Sequence, residues 1–215
     1  QLPAPPFPII LHIHAVLMGS YLLLLLFQTW LTATGKLALH RRVGPVAMVF
    51  VPLLVIVGFI LIPTIYLSVW DGAHHAPPAA RPALQDLSLR LDNIMLLQIR
   101  IGLLFPLFVI LGLMARVRDA GFHKRMMILG PAMALPAAFD RITWLPTTFP
   151  ASSISATLYP LLAVAPMFFW DVIRNHRVHR AYWWLLAINL PAAILVQAAW
   201  DKPWWHDAVH RLMGV

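Results

Sequence analysis

The chain of 215 residues lacks cysteine and glutamate altogether, and charged residues make up only 11% of it. Without cysteine, disulfides, iron–sulfur clusters and thiolate zinc sites are excluded. Soluble domains carry about 25% charged residues, whereas this chain is 60% hydrophobic and has a mean hydropathy of +0.77. These values exclude an ordinary soluble globular protein.

Long apolar runs predict an all-α fold, a polytopic membrane bundle of six transmembrane helices. A helix needs about 20 apolar residues to cross a bilayer, and no run alternates as the strands of a membrane barrel do. A short interfacial helix is expected at the C-terminus, and residues 71–91 are expected to form the longest loop. Within one domain of residues 1–215, the spans are expected at about 8–31, 43–69, 93–117, 122–145, 154–173 and 181–200.

Basic residues predict the orientation of the bundle. The net charge is +8, which in a soluble chain would indicate nucleic acid, but here the charges lie between apolar spans and indicate anionic lipid headgroups instead. Ten of the 16 lysines and arginines fall in the connections that follow spans one, three and five, and the other side holds five. The positive-inside rule therefore places both termini outside.

A polar cluster is expected in the outer half of the bundle. Arg100 lies inside the third span, where a charge is costly and usually faces a cavity or a partner. Asp140 and Arg141 lie near the outer end of span four, and His12 enters span one from the same side. Such a cluster would hold an anionic or carbonyl-bearing ligand. The alternative is a structural ion pair between Arg100 and Asp140.

Histidines suggest a second kind of site. His206 and His210 are four residues apart, which puts both imidazoles on one helix face. Together with His74 and His75 of the predicted outer loop they would form a zinc or copper site. The zinc motif that has a glutamate between the histidines is absent, because position 207 is aspartate. The alternative is that these histidines contact lipid headgroups.

Haem b is the third candidate ligand. It requires one axial imidazole from each of two helices, and His40 and His123 lie at similar depth at the edges of predicted spans. The arginines and lysine beside them favour the alternative, in which these histidines are polar residues of the headgroup layer.

Several short motifs resemble those of a group of uncharacterised bacterial multi-span membrane proteins. The motifs are Leu11-His12, Gly19, Gln28, the Leu39 to Gly44 turn, the His123 to Met127 segment and Arg141. The resemblance covers roughly residues 10 to 145 and implies a bacterial inner membrane location, so that the outer side, on which the basic residues place both termini, would be the periplasm. It implies that His12, His40, His123 and Arg141 are the residues to test first. The histidine placement is also distantly similar to di-haem transmembrane cytochrome b bundles.

Three functions follow as hypotheses. The first is a membrane protein that binds a cofactor or lipid-like ligand, of haem or quinone type, alone or as a subunit of a membrane redox complex. The second is an accessory or scaffold subunit that packs against other membrane subunits. The third is a metal-dependent membrane enzyme that uses the outer histidines. The sequence does not decide whether the protein is an enzyme.

Overall fold

The computed structural model describes residues 7–215, and within this range all regular secondary structure is helical. The contacts divide the chain into two compact units, Gln1–Ala76 and Pro77–Val215.

The first unit contains two long helices joined by a short helical connection. Helix α1 spans Ile9–Ala33, α2 spans Leu37–Val43 and leads through a single 3-10 turn into α3, which spans Ala47–His75. Helices α1 and α3 pack against each other. Their contact buries Tyr21 and Tyr66 almost completely.

The second unit is a bundle built on one long helix. Helix α4 spans Arg81–Ala115, and its 35 residues correspond to about 52 Å at 1.5 Å per residue. The helices that follow it are α5 (Ala120–Ala132), α6 (Pro136–Phe139), α7 (Ile154–Asn175), α8 (Arg180–Ala199) and α9 (Pro203–Met213). Helix α9 lies where the short C-terminal helix was predicted.

Glycines allow α4 and α5 to approach closely. A Cβ atom added at Gly112 of α4 would lie 2.9 Å from Cβ of Met126, and one added at Gly130 of α5 would lie 3.0 Å from Cγ2 of Val109. Larger residues at either position would force the helices apart. This contact places Phe108 and Met126 at the centre of the core, both fully buried.

Five helical segments between residues 7 and 215 are long and apolar enough to cross a membrane: Ile9–Ala33, Leu37–His75, Arg81–Ala115, Ile154–Asn175 and Arg180–Ala199. Each overlaps one of the six predicted spans. The protein is therefore a multi-pass membrane protein by the length and composition of its helices, and its apolar surfaces contact lipid.

The predicted fourth span is not one continuous helix, so that prediction was wrong in this respect. Helix α5 ends at Ala132, and α6 begins four positions later at Pro136. Proline lacks the N–H that a helix interior needs, and its ring disfavours a helical conformation in the residue before it. Pro131 and Pro136 together interrupt the backbone hydrogen bonds of this segment, and composition alone did not reveal the break.

The prediction of a long loop at residues 71–91 was also wrong. Helix α3 continues to His75 and α4 already begins at Arg81, so the connection is only five residues long. Pro77 and Pro78 interrupt the helix, but Pro82 occupies the first turn of α4, where proline is favoured because its missing N–H is not needed.

Side-chain contacts define two ends of the second unit. At the end that we call the Asp92 end, Asn93 Oδ1 accepts from the backbone N–H of Asp201 at 2.9 Å, and Trp200 Nε1 donates to the Pro150 carbonyl at 2.9 Å. At the opposite end, the Asp171 end, Arg180 contacts Asp119 at 2.7 Å. The chain between Asp119 and Pro150 therefore runs the full length of this unit, although its helix is broken.

Candidate functional site

Arg100 is buried in the second unit without a counter-charge. Only 6% of its surface is exposed, and in the described part of the chain no carboxylate lies within 4.0 Å of its guanidinium. One Nη donates to Thr157 Oγ1 at 2.7 Å and the other to the Ala156 carbonyl at 3.4 Å. Both acceptors belong to α7 and are neutral, so neither of them compensates the charge of the guanidinium.

The structural ion pair between Arg100 and Asp140 is therefore not formed. Asp140 is exposed, and its carboxylate makes no ion pair or side-chain hydrogen bond with residues 7–215. Of the two interpretations that the sequence left open, the structural pair is the one that the geometry disfavours.

A cavity of about 180 Å³ lies next to Arg100, between α4, α6 and α7. We call it the Gln98 cavity. Ala156, whose carbonyl accepts from Arg100, forms part of its wall. Its other lining residues are mainly apolar and include Ile94, Ile101, Phe139 and Leu145, and the polar ones are Gln98, Asp140, Arg141, Thr147, Ser155 and Tyr159.

Two polar side chains of the Gln98 cavity have no protein partner. Neither Gln98 nor Asp140 makes a side-chain hydrogen bond to any described residue. Arg141 donates to the Ala137 carbonyl, and the Tyr159 hydroxyl donates to the Pro146 carbonyl. The lining therefore combines apolar walls with an amide and a carboxylate that remain available to a ligand, as is usual for small-molecule sites.

A second cluster lies at the Asp92 end. His206 Nδ1 lies 2.7 Å from Asp92 Oδ2 and its Nε2 lies 3.3 Å from Asp201 Oδ1, while His210 Nε2 lies 3.6 Å from Asp92 Oδ2. The Trp205 indole donates to the Asp92 carbonyl at 2.8 Å. The histidine pair predicted by its spacing does face one way, but its partner is an aspartate 114 residues away.

The other two histidines predicted to bind metal lie in the first unit. His74 and His75 are exposed in the last turn of α3, and their Nδ1 atoms lie within hydrogen-bonding distance of carbonyls one turn earlier. Among residues 7–215, no group of three or more histidine and aspartate side chains has an arrangement that could hold a metal ion. The zinc or copper site stays a prediction.

The histidines predicted to bind haem lie in different units and contact protein groups. His123 Nδ1 lies 2.8 Å from the Gly112 carbonyl. The side-chain amide of Gln28 lies between His40 and Gly44. In the orientation that satisfies both residues, the amide nitrogen donates to His40 and the amide oxygen accepts from the Gly44 N–H at 3.1 Å. Gln28, His40 and Gly44, which all belong to the short motifs of the sequence, are therefore in contact in the first unit.

His12 does not face the interior of the first unit. It is exposed on α1, whereas His14, two residues later, is half-buried and has a buried Nδ1 without a hydrogen-bond partner among the described residues. The ring of His14 lies opposite Gly58 of α3, 3.9 Å from the position that a Cβ atom there would take. Helical spacing separates the two histidines by about 200°, so only one can face α3.

The Asp171 end contains a buried network that sequence reasoning missed. Arg125 donates from Nε and one Nη to the two carboxylate oxygens of Asp171, both at 2.6 Å, and the Tyr182 hydroxyl donates to the same carboxylate. Two oppositely charged residues near the ends of separate predicted spans were the available signal, but spacing alone does not pair them.

The loop residues beside this network have shifted pKa values. The pKa of Asp119 lies below its ordinary value, chiefly because its carboxylate accepts the backbone N–H of Phe122, and further because Arg180 and His179 are close. The pKa of His179 is lowered by burial and by the positive charge of Arg125. Asp119 and His179 cap the N-termini of α5 and α8.

Comparisons with protein-family models, with curated proteins and with solved structures gave no match for this chain.

Proposed function

We propose that this protein binds the polar head of a lipid-like ligand of quinone type in the Gln98 cavity. The observation that carries the proposal is a buried arginine without a counter-charge directly behind the cavity wall. A charged group inside a span usually marks a functional site because its burial is costly. Gln98 supplies a free amide donor, and Arg100 supplies a positive field that favours a carbonyl or anionic head.

The dimensions of the cavity match a head rather than a whole ligand. Sites for complete small molecules enclose about 300–1,000 Å³, whereas this cavity measures about 180 Å³. One substituted ring fits such a volume, and a hydrocarbon tail would then continue into the surrounding lipid. The lining contains no histidine, so it offers no axial ligand for haem.

The decisive binding test uses purified protein in lipid nanodiscs and two probes, a short-chain benzoquinone and a short-chain naphthoquinone. We expect saturable binding of at least one, weakened about tenfold or more, or about 1.4 kcal/mol, by Gln98→Leu and by Arg100→Gln. Two matched controls lie on the same helix, because Gln85 and Arg90 are exposed. Gln85→Leu and Arg90→Gln should leave the affinity unchanged.

Two results contradict this function. Absence of saturable binding by both quinones would favour the accessory or scaffold subunit, which is then expected to co-purify with partner subunits. Unchanged binding in Gln98→Leu and Arg100→Gln would show that the quinones partition into the disc or bind elsewhere, and equal losses in the site variants and the exposed controls would show that the losses are not specific to the cavity.

Haem and metal are tested on the same sample. An absorbance spectrum of the oxidised and the dithionite-reduced protein should show no Soret band if the ligand is a quinone. A Soret band that disappears in His40→Ala or His123→Ala would show that the ligand is haem and not a quinone. Bound zinc or copper that is lost in His206→Ala and His210→Ala would instead favour the metal-dependent enzyme.

We further propose six crossings of a bacterial inner membrane with both termini periplasmic, the fourth crossing being the broken segment of α5 and α6. This is supported by the course of the chain from Asp119 to Pro150 between opposite ends of the second unit. Because the chain lacks cysteine, single cysteines can be introduced cleanly. With six crossings, Arg118→Cys and Arg177→Cys are both protected from an impermeant maleimide in intact cells and Asp207→Cys is labelled. With five crossings, the cysteines at these two positions lie on opposite sides of the membrane, and only one of them is labelled.

A further inference from the structure

We propose that Asp92 is a proton-binding site that exchanges its proton with water through His206 and Asp201. This site is separate from the Gln98 cavity, and the proposal does not depend on the ligand of that cavity.

The burial of Asp92 is the first observation. Its residue surface is 0% exposed, and its Oδ1 atom has no hydrogen-bond partner among the described residues. Buried polar atoms are nearly always hydrogen-bonded, and a buried carboxylate needs a compensating charge or a proton. The carboxyl group is thus incompletely compensated in this arrangement.

The identity of its neighbours is the second observation. The basic groups within 4.0 Å of the Asp92 carboxylate are two imidazoles, those of His206 and His210, and no lysine or arginine of the described chain lies within this distance. An imidazole carries a positive charge only after it binds a proton. Whether the proton resides on His206 or on Asp92, neutralising this carboxylate therefore takes one proton from water.

The connection to solvent is the third observation. The side chain of His206 is 15% exposed and lies between Asp92, which is fully buried, and Asp201, whose side chain is 75% exposed. One imidazole nitrogen faces each carboxylate, at 2.7 Å and 3.3 Å. A buried acid, an imidazole and a surface acid thus form one continuous path.

The proton transfer balances along this path. Asp201 takes a proton from water and passes it to Nε2 of a neutral His206, whose Nδ1 proton moves to Asp92 Oδ2. The net result is one proton moved from water to Asp92, with the imidazole left in its other tautomer. Release follows the same path in reverse and restores the starting tautomer. His210, at 3.6 Å, adds to the field at Asp92 without completing the path.

The first test measures protonation of Asp92 by infrared spectroscopy of the intact protein in nanodiscs. We expect a pH-dependent C=O band of a protonated carboxyl that disappears in Asp92→Asn. The matched control is Asp71, which forms a similar contact with His75 at 3.2 Å but is 77% exposed. Asp71→Asn should leave the band in place. The proposal is overturned if Asp92→Asn removes no such band at any pH at which the protein stays folded.

The second test measures the rate at which this band responds to a pH jump. Glutamine at position 206 still donates a hydrogen bond to Asp92 but cannot pass a proton, so it keeps the contact that a purely structural role needs. We expect at least a tenfold slower response in His206→Gln and no change in His75→Gln. An unchanged rate in His206→Gln, with the circular dichroism spectrum of the native protein, overturns the proposed path.

Discussion

Arg100 and Arg125 are both buried in the second unit, at 6% and 7% exposure, yet their surroundings differ in charge. Arg125 binds both oxygens of Asp171, while Arg100 donates only to a threonine hydroxyl and a carbonyl. A buried bidentate pair is a complete unit in which each charge satisfies the other. The comparison therefore assigns a structural role to Arg125, whereas the charge of Arg100 has no carboxylate partner among the described residues.

Removal of the carboxylate from the Arg125 pair should have the largest effect on stability. Asp171→Asn leaves a buried guanidinium uncompensated, and we expect a loss of about 3–5 kcal/mol in the free energy of unfolding. Equilibrium unfolding in mixed detergent micelles measures this loss. Asp119→Asn is the control, because it weakens the partly exposed pair with Arg180, keeps an N-cap acceptor, and should cost less than about 1 kcal/mol. Similar losses in both variants would contradict the structural role of Arg125.

Replacement of the whole network by apolar residues should recover most of that loss. In the variant Arg125→Met, Asp171→Leu, Tyr182→Phe no charge remains in this network, and such replacements are often neutral or stabilising. We expect this variant to exceed Asp171→Asn by about 2 kcal/mol or more in the same unfolding measurement. If it is no more stable than Asp171→Asn, then the network stabilises the fold by its geometry rather than by charge compensation.

Arg100 should behave differently when it is neutralised. Arg100→Gln leaves no orphaned carboxylate, and the lost hydrogen bond to Thr157 is offset by relief of a buried charge, so we expect a change within about 1.5 kcal/mol. Arg125→Gln, which orphans Asp171, should lose about 3–5 kcal/mol. Unfolding of the two variants side by side checks this contrast. Equal losses would show that Arg100 is as structural as Arg125.

The smallest expected effect is a pH dependence at the Asp171 end. Since the folded-state pKa of His179 lies below its ordinary value of 6.5, the unfolded chain binds protons more readily. Its contribution to stability is present above about pH 6.5 and is lost as the pH falls through the folded-state pKa. We expect a fall of a few degrees in Tm over this range. His179→Asn keeps an N-cap acceptor and should flatten the dependence of Tm on pH. If the dependence is unchanged in this variant, then another group is responsible for it.

Apolar composition was sufficient to predict most of the helices. Five of the predicted spans overlap helices of spanning length, because about 20 consecutive apolar residues have few alternatives to a membrane helix. The break between Ala132 and Pro136 was not predicted, because prolines are common in membrane helices and those inside α3, α4, α7 and α8 do not interrupt their helices. The prolines of α7, for example, lie within one helix.

The candidate sites were predictable only in part. Asp140 and Arg141, two members of the expected polar cluster, line one cavity, but Arg100 lies behind its wall and His12 belongs to the other unit. Spacing along α9 predicted that His206 and His210 share a face, but not that this face meets Asp92. The predicted metal and haem histidines fall in two separate units, and their proposed pairings stay predictions.

The sequence by itself determined that this protein lies in a lipid membrane, and it determined the approximate positions of the helices. Both follow from apolar content and run length, which are local properties of the chain. Tertiary structure decided the partners of the buried charges. Arg125 meets Asp171 across 46 residues, and Arg100 meets Thr157 rather than Asp140. The physical reason is that an ion pair depends on helix rotation and on distances of a few ångströms between separate helices, and hydrophobic periodicity fixes neither of them.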